Sequence, residues 1–165
     1  MSKKRVVVTG MGVVSPIGNN LDQFWNNLKD GSNGINDISL FDTTNFDVKI
    51  AGESNIDLKS FFDRKELNKL DRFSAFALIA AEQAINQSNI LDCKTSPSRI
   101  GVIVGSGIGG IGTFEAQHKK LLKNPRFVSP FFIPSMISDI AAGQISIKYG
   151  FKGINYSVAS ACATS

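Results

Sequence analysis

The clearest pattern of hydrophobic positions lies in the middle of the chain, between Asp71 and Asn89. Apolar side chains recur there at intervals of three and four residues, at Phe73, Phe76, Ala77, Ala80, Ala81, Ala84 and Ile85. This spacing places them on one face of an α-helix. Because alanine dominates that face, the pattern predicts a helix that packs closely against its neighbours and occupies a central place in the fold.

Shorter patterns on either side predict strands that alternate with helices. Apolar and β-branched runs predict strands at residues 3–9, 48–51, 99–104 and 154–158, and the consecutive Val6, Val7 and Val8 predict that the first is buried on both faces. Helical spacing predicts helices over residues 20–28, 111–122 and 136–145, with Gly31 and Gly150 as C-terminal stops. Alternating strands and helices indicate an α/β fold with a largely parallel sheet.

Length and composition bound the class of protein. The chain has 165 residues, of which 42% are hydrophobic and 19% charged, which is typical of one globular domain over residues 1–165. No apolar run is long enough to span a membrane, and the basic start is followed by a β-branched run rather than a signal-peptide core. Two cysteines, Cys93 and Cys162, give no disulfide framework. We therefore expect a cytoplasmic protein.

The net charge of +4 favours an acidic partner. The one local concentration of positive charge is formed by Arg64, Lys65, Lys69 and Arg72. Aromatic side chains are not interleaved with it, as a protein that binds single-stranded nucleic acid would require, so a nucleic-acid partner is not expected. Two interpretations remain open: the solvated face of a helix, or a docking patch for an acidic protein.

Cys162 lies just after the last predicted strand, among very small residues that include Ala161 and Ala163. Small neighbours permit the sharp strand-to-helix turn that lifts a nucleophile above a sheet, as in the nucleophile elbow of hydrolases. The pattern therefore favours a nucleophile at Cys162. The alternative is that Cys162 is only a small buried hydrophobic residue, as many free cysteines are.

A glycine-rich turn follows the strand predicted at residues 99–104. Its sequence, GSGIGG at 105–110, matches the G-x-G-x-x-G pattern of dinucleotide-binding folds. Dinucleotide binding also needs an acidic residue at the end of a second strand, about 20 residues after the glycines. Glu115 is closer to the glycines than that and lies on the predicted helix that follows them. A nucleotide-binding oxidoreductase is therefore disfavoured. The glycines instead favour a backbone that comes close to a long and thin group. Ile108 is the only large side chain in this turn.

The other candidates for chemistry carry little weight. His118 is the only histidine in the sequence, and one histidine does not make a metal site, so no metal is expected. A lone histidine on an amphipathic helix is more often a surface residue than a catalyst. Cys93, between Asp92 and Lys94, is expected to be an exposed thiol without a catalytic role.

Several ordered segments together resemble the N-terminal portion of the β-ketoacyl-acyl-carrier-protein synthases, the condensing enzymes of fatty-acid synthesis. They are VVVTGMG at 6–12, SPIG at 15–18, RKE at 64–66, GSGIGG at 105–110, SPFFIP at 129–134 and ASACATS at 159–165. The resemblance implies a thiolase-like α/β fold, whose N-terminal half holds a mixed five-stranded sheet, and a homodimer. It also implies an acyltransferase in which Cys162 accepts an acyl chain from acyl-carrier protein. Malonyl-carrier protein then loses CO₂ and condenses with that chain, without a metal or organic cofactor.

The same resemblance implies site residues. It implies an acyl pocket at Gly107, Ile108, Ile111, Phe132, Ile133 and Ala161, and carrier-protein docking at Arg64, Lys65 and Lys69. Isoleucine in the glycine turn is typical of the type II elongating synthases. Since members of the family are longer and carry two assisting histidines in a second half, we expect a truncated half-domain that is inactive alone. A polyketide ketosynthase and a non-catalytic remnant that acts as an interaction module remain as alternatives.

Overall fold

The chain contains both helices and strands, but they do not alternate regularly as the sequence pattern predicts. The computed structural model of the protein describes residues 4–164. Its helices are α1 (Leu21–Lys29), α2 (Arg64–Leu67), α3 (Arg72–Ser88), α4 (Ile111–Lys123), α5 (Phe132–Met136) and α6 (Ile140–Tyr149). Its strands are β1 (Ile35–Asp37), β2 (Ile50–Gly52), β3 (Val102–Gly105) and β4 (Asn155–Val158). None of the described helices has both the length and the apolar character needed to cross a lipid bilayer.

The described residues fall into two compact units. The first contains residues 4–57 and Ile79–Leu91, and the second contains Leu58–Leu78 and residues 92–164. The early part of α3 therefore belongs to the second unit and the later part to the first. The prediction that residues 1–165 form one half-domain stays a prediction.

In the first unit, an irregular segment packs tightly against the alanine face of α3. A Cβ atom on Gly12 would overlap the backbone carbonyl of Ala80. The side chain of Gln83 adds hydrogen bonds, because its Oε1 accepts from the Val13 N–H at 3.1 Å and its Nε2 donates to the Asn19 carbonyl at 2.8 Å. The close packing predicted from the small residues of this helix is confirmed.

Helix α1 begins at the capping residue that the sequence indicates. The Asn20 side chain accepts a hydrogen bond from the Gln23 N–H at 2.9 Å, which satisfies one of the unpaired donors of the first turn. Gly31, at φ +65°, follows the helix end. Beyond it, β1 and β2 form an antiparallel pair in which Ile35 lies opposite Gly52. Strand β2 lies close to the strand predicted at 48–51, whereas its partner β1 was not predicted.

In the second unit, β3 and β4 pair in parallel and α6 packs against both. Ala141 and Ala142 of α6 are fully buried, and Ile145 is buried beside them. The Asn155 side chain ties β4 to this helix by donating to the Ala142 carbonyl at 2.8 Å. Gly150, at φ +69°, ends α6 at the predicted position.

The strand predicted at residues 3–9 is wrong for the part that the structure describes, and Lys3 lies outside the described residues. Residues 4–9 are irregular, and Val6 is 95% exposed instead of buried on both faces. Valine runs favour extended backbone, but a strand also needs a neighbour that takes up its N–H and C=O groups. No described segment pairs with these residues.

The sheets are also smaller than the resemblance implies. The described residues form two two-stranded sheets, β1–β2 and β3–β4, and not a mixed five-stranded sheet. The buried strand predicted at 99–104 is reduced to β3, because a 3-10 turn occupies Pro97–Arg99. Ile103 in that strand is 57% exposed, since β4 is its only described neighbour in the sheet.

Candidate active site

The parallel strands β3 and β4 end side by side. Their register pairs Val104 with Ser157 and Gly105 with Val158. One residue further, the Ser106 N–H donates to the Val158 carbonyl at 3.2 Å and extends the pairing into the glycine turn. Because the carboxyl ends of parallel strands meet at one edge of a sheet, the two turns that follow leave the sheet together. They are the glycine turn, residues 105–110, and the cysteine turn, residues 160–164, which contains Cys162.

Cys162 lies in the 3-10 turn Ala161–Ala163 that follows β4. Its side chain is exposed, so the alternative interpretation of a buried hydrophobic residue is wrong. Thr164 closes the turn: its hydroxyl donates to the Ala161 carbonyl at 2.7 Å and accepts from the Ser160 N–H at 2.8 Å. Ala161 and Thr164, on either side of Cys162, are thereby fixed to one another.

Ala161 gives this turn its sharpness. Its φ of +50° lies in the left-handed region, where a residue other than glycine costs about 1–3 kcal/mol. Such a conformation is kept only where the surrounding structure fixes it, and it occurs often at functional sites. The chain therefore changes from strand to helical turn at one residue, and the sharp turn predicted at Cys162 is confirmed.

The glycines at 105–110 approach the protein's own backbone. A Cβ atom on Gly105 would lie 2.6 Å from Thr164 Cγ2, and one on Gly107 would lie 3.4 Å from the Ala161 carbonyl oxygen. Gly109 has φ +81°, and a Cβ atom there would overlap the carbonyl oxygen of the last residue of α5. The cysteine turn and α5 thus occupy the space beside these glycines that a dinucleotide would need.

The other candidates lie on exposed surface. Glu115 binds Lys119 one turn along α4, and this hydrogen bond and charge hold the pKa of the Glu115 carboxyl below its ordinary value. His118 stacks on Phe114 with the ring centroids 6.3 Å apart. Cys93 is exposed, as predicted. Among the described residues, no three or more His, Cys, Asp or Glu side chains are grouped so that they could hold a metal ion.

Three of the predicted acyl-pocket residues lie beside the cysteine turn or in it. Ala161 precedes Cys162, Gly107 contacts the backbone of that alanine, and Ile108 follows in the glycine turn. The Ile108 side chain is 71% exposed. At this edge of the sheet, the glycine turn beside the cysteine turn therefore carries one bulky, exposed apolar side chain.

The other three predicted pocket residues lie on α4 and α5. Ile111 begins α4 and is 57% exposed, and Ile133 on α5 is 54% exposed. The half-buried Phe132 packs against Phe114, with the ring centroids 6.1 Å apart, and lines a cavity of about 300 Å³. Neither Ile108 nor Ala161 lines that cavity. The described chain therefore does not join the six residues into one pocket, and their assignment stays a prediction.

The predicted docking residues Arg64, Lys65 and Lys69 are all exposed. Arg64 and Lys65 lie on α2, whose first turn is held by a complete capping box. The Lys69 ammonium lies 5.1 Å from the ring centroid of Phe131. Arg72 is half-buried with its guanidinium over another aromatic ring, so it contributes less to the exposed positive charge than the other three.

Two residues that hold this site were not identified from the sequence. Thr164 closes the cysteine turn, and its role depends on a backbone conformation that no local pattern reveals. Asp71 accepts from the Phe73 N–H at 3.1 Å and from the Thr113 N–H at 2.8 Å. An aspartate just before a helical pattern is an N-cap signal, which could have identified the first bond. The second joins residues 42 apart and leaves no such signal.

The site combines an exposed cysteine on a sharp turn after β4 with a glycine turn at the same sheet edge, as expected from the resemblance to the condensing enzymes. The family model described as "Beta-ketoacyl synthase, N-terminal domain" matches residues 3–165. The chain belongs to this family.

Comparison with individual proteins gives the same family. The chain is 47% identical over 163 residues to the 3-oxoacyl-[acyl-carrier-protein] synthase 2 of Staphylococcus aureus (strain COL). The aligned residues cover 98% of this chain and 39% of that protein. A crystal structure of a beta-ketoacyl synthase from Burkholderia phymatum STM815 has a TM-score of 0.80 at 26% identity and covers 98% of this chain and 41% of that chain. The predicted thiolase-like fold class is confirmed.

A further solved structure shows a type II polyketide synthase acyl-carrier protein in complex with its ketosynthase, bound to the hexaketide. It has a TM-score of 0.67 at 26% identity and covers 91% of this chain and 41% of that chain. The present chain thus spans 39% of the length of the curated relative and 41% of each of these two structures.

Proposed function

We propose that the protein containing this chain catalyses the decarboxylative Claisen condensation that elongates fatty acids, with Cys162 as the acyl carrier. The observation that carries the proposal is the exposed Cys162 on a strained turn beside the glycine turn. The identity with a 3-oxoacyl-[acyl-carrier-protein] synthase 2 over nearly the whole chain supports it.

In the first step, the Cys162 sulfur attacks the carbonyl carbon of an acyl thioester on carrier protein. The carrier's thiol leaves, so one thioester is exchanged for another. The hydrogen bonds within the turn are donated by the N–H groups of Ala163 and Thr164. Among the described residues the Cys162 N–H, at the start of the turn, is not used for a backbone bond. A backbone N–H held in this way is the kind of fixed donor that stabilises an oxyanion next to the attacking sulfur.

In the second step, malonyl-carrier protein loses CO₂, and the electron pair of the broken bond forms the carbanion of a carrier-bound acetyl thioester. This carbanion attacks the acyl carbon on Cys162, and the cysteine thiolate leaves. The product is a β-ketoacyl chain, longer by two carbons, on carrier protein. The balance requires no oxidant and no cofactor.

The partner in both steps is acyl-carrier protein, first in its acyl form and then in its malonyl form. A carrier protein is bound to the ketosynthase in the polyketide structure described above. The exposed Arg64, Lys65 and Lys69 form the docking patch of the present protein, which suits an acidic carrier. We place the enzyme in the cytoplasm and as a homodimer, following the family resemblance.

Elongation of fatty acids is favoured over polyketide synthesis. Identity to the fatty-acid elongating synthase is 47%, whereas it is 26% to the polyketide ketosynthase. The two functions differ in how many malonyl units are added before release. A polyketide ketosynthase adds several without reduction, and an elongating synthase adds one.

The test is a condensation assay with the protein expressed from its own gene. Decanoyl-carrier protein and malonyl-carrier protein are mixed with the wild type, with Cys162→Ala or with Cys93→Ala, and carrier-bound products are identified by mass spectrometry. We expect one added unit from the wild type and from Cys93→Ala, and none from Cys162→Ala. Undiminished product from Cys162→Ala would refute the proposal, and a series of unreduced longer products would favour the polyketide alternative.

A further inference from the structure

Asp71 is a buried carboxylate, 8% exposed, at the point where α3 begins. Its two oxygens serve two different helices. Oδ1 accepts from the Phe73 N–H at 3.1 Å, in the first turn of α3, and Oδ2 accepts from the Thr113 N–H at 2.8 Å, in the first turn of α4. The residue at the N-cap position of α4 is Gly110, which has no side chain to cap the helix. Asp71 therefore supplies a cap for α4 from a distant part of the sequence.

The junction of the glycine turn with α4 is confined on more than one side. The Gly110 N–H donates to the Met136 carbonyl at 2.8 Å. A Cβ atom on Gly110 would lie 3.0 Å from Asp71 Oδ2 and 2.9 Å from Met136 Cα. Gly110 is buried between these groups, so the end of the glycine turn has little room to move.

The other end of the turn is fixed by the sheet, where Ser106 bonds to the Val158 carbonyl. Ile108 lies between these two fixed ends, next to Gly107, which approaches the Ala161 backbone, and the Ile108 side chain is exposed. A change at Asp71 would loosen only the end next to α4, where the bond from the Gly110 N–H to the Met136 carbonyl remains. The position of Ile108 relative to Cys162 would then be less well defined, although the two bonds that the Asp71 carboxylate accepts come from the backbone N–H groups of Phe73 and Thr113.

We propose that Asp71 is a positioning residue that fixes the glycine turn, and through it the Ile108 side chain, by capping α3 and α4 at once. The effect on substrates rests on the proposed function, in which acyl chains reach Cys162 past Ile108. Releasing one end of the turn alters how the site discriminates between long and short acyl chains. It does not remove any group that takes part in the reaction.

The first measurement is independent of activity. Asp71→Asn keeps one carbonyl oxygen, which can still cap α3, but presents an amide N–H₂ to the Thr113 N–H. We expect amide hydrogen exchange at Thr113 to become about two- to thirtyfold faster, as for the loss of a helix cap, with the first turn of α3 nearly unchanged. Asn124→Ala is the control, because Asn124 caps the 3-10 turn at the far end of α4 by accepting from the Arg126 N–H. It should leave exchange at Thr113 unchanged.

The second measurement is a double-mutant cycle between Asp71 and Ile108. The readout is the ratio of Cys162 acylation rates with carrier proteins that bear sixteen-carbon and four-carbon chains. We expect Asp71→Asn to change this ratio at least about threefold in the wild-type background and to leave it unchanged in the Ile108→Ala background. Asn124→Ala should not alter the ratio in either background. If Asp71→Asn fails to fold, Asp71→Ser replaces it, since serine is an equally good cap for α3.

The outcomes separate this inference from the proposed function. If exchange at Thr113 is unchanged, or if the two substitutions have additive effects on the ratio, Asp71 is only a structural residue and the inference is overturned. If exchange responds but Cys162 accepts no acyl chain in any variant, the proposed function fails and with it the role of Asp71 in substrate discrimination. Faster exchange together with a non-additive ratio supports the inference.

Discussion

Gly105 and Val158 are register partners at the ends of two parallel strands, and each is followed by one of the two turns that form the candidate active site. The pairing places the glycine turn, whose only bulky side chain is Ile108, beside the turn that carries Cys162. A one-residue change of register would direct the side chains of β4 to the opposite face of the sheet. The relation between the two turns therefore depends on how β3 and β4 pair.

We expect Gly105→Ala to destabilise the protein and to disturb the cysteine turn. The new Cβ atom would lie 2.6 Å from Thr164 Cγ2 and 2.9 Å from the Thr164 carbonyl oxygen, which is too close for either to remain in place. Overpacking of this kind typically costs about 1–3 kcal/mol. Urea unfolding measures this cost, and the rate of Cys162 acylation should fall with it.

Gly143→Ala is the matched control for that substitution. Gly143 lies inside α6, and its added Cβ atom would meet nothing nearer than an Ile140 methyl at 4.0 Å. Since alanine is the better helix former by about 0.5–1 kcal/mol, this variant should be at least as stable as the wild type. Equal stability losses in both variants would show that tight packing at Gly105 is not the cause.

We expect Ile108→Phe to shorten the acyl chains that the enzyme accepts. The Ile108 side chain is 71% exposed, so the substitution should not affect stability and should act only when a chain passes the turn. Under the proposed function the acyl chain passes Ile108, and extra side-chain volume in a packed space costs about 1–3 kcal/mol. About 1.4 kcal/mol corresponds to tenfold in rate. Acylation of Cys162 by long chains should therefore fall about ten- to a hundredfold, with short chains nearly unaffected.

The measurement is a series of acyl-carrier proteins from two to sixteen carbons. Ile147→Phe serves as the control, because Ile147 is similarly exposed on α6 at 76% and is not among the predicted pocket residues. It should behave as the wild type does at every length. Equal losses at all lengths with Ile108→Phe would leave only a packing role for this residue.

We expect charge reversal at Lys65 and Lys69 to weaken binding of the carrier protein. Both side chains are exposed, and exposed ion pairs contribute about 0.2–1 kcal/mol each. The double substitution to Glu should raise KM for carrier-bound substrate about three- to tenfold and reduce its salt dependence, with kcat nearly unchanged. Reversal of the exposed Lys120 and Lys123 on α4 applies the same charge change elsewhere and should have a smaller effect. Equal effects of the two double variants would show that overall charge, and not this patch, governs KM.

The sequence predicted most of the helices, because periodicity and capping residues are local signals. Helix α3 differs from the predicted range by one residue at each end, and Asn20 and Gly150 mark helix ends as predicted. The strands were predicted less well. Val6 shows the reason: its β-branched neighbours favour extended backbone, but only a partner strand makes a sheet, and no local pattern shows whether that partner is present.

The candidate site shows the same division between local and distant signals. Small residues around Cys162 predicted the sharp turn, and the glycine turn was predicted to approach something closely. The sequence did not show which groups the glycines approach, namely the cysteine turn and the end of α5. The bond from Asp71 to Thr113 was equally hidden, since it joins the starts of two helices that are far apart in sequence.

The most direct test of the central claim is to find which cysteine carries the acyl group. The protein expressed from its own gene is incubated with acyl-carrier protein alone, digested, and mapped by mass spectrometry. Cys93 is an internal control, because its side chain is also exposed but lies outside the two turns. The account predicts a thioester on Cys162 and none on Cys93, with the adduct lost in Cys162→Ala. Acylation of Cys93 to the same extent, or of neither cysteine, would contradict it.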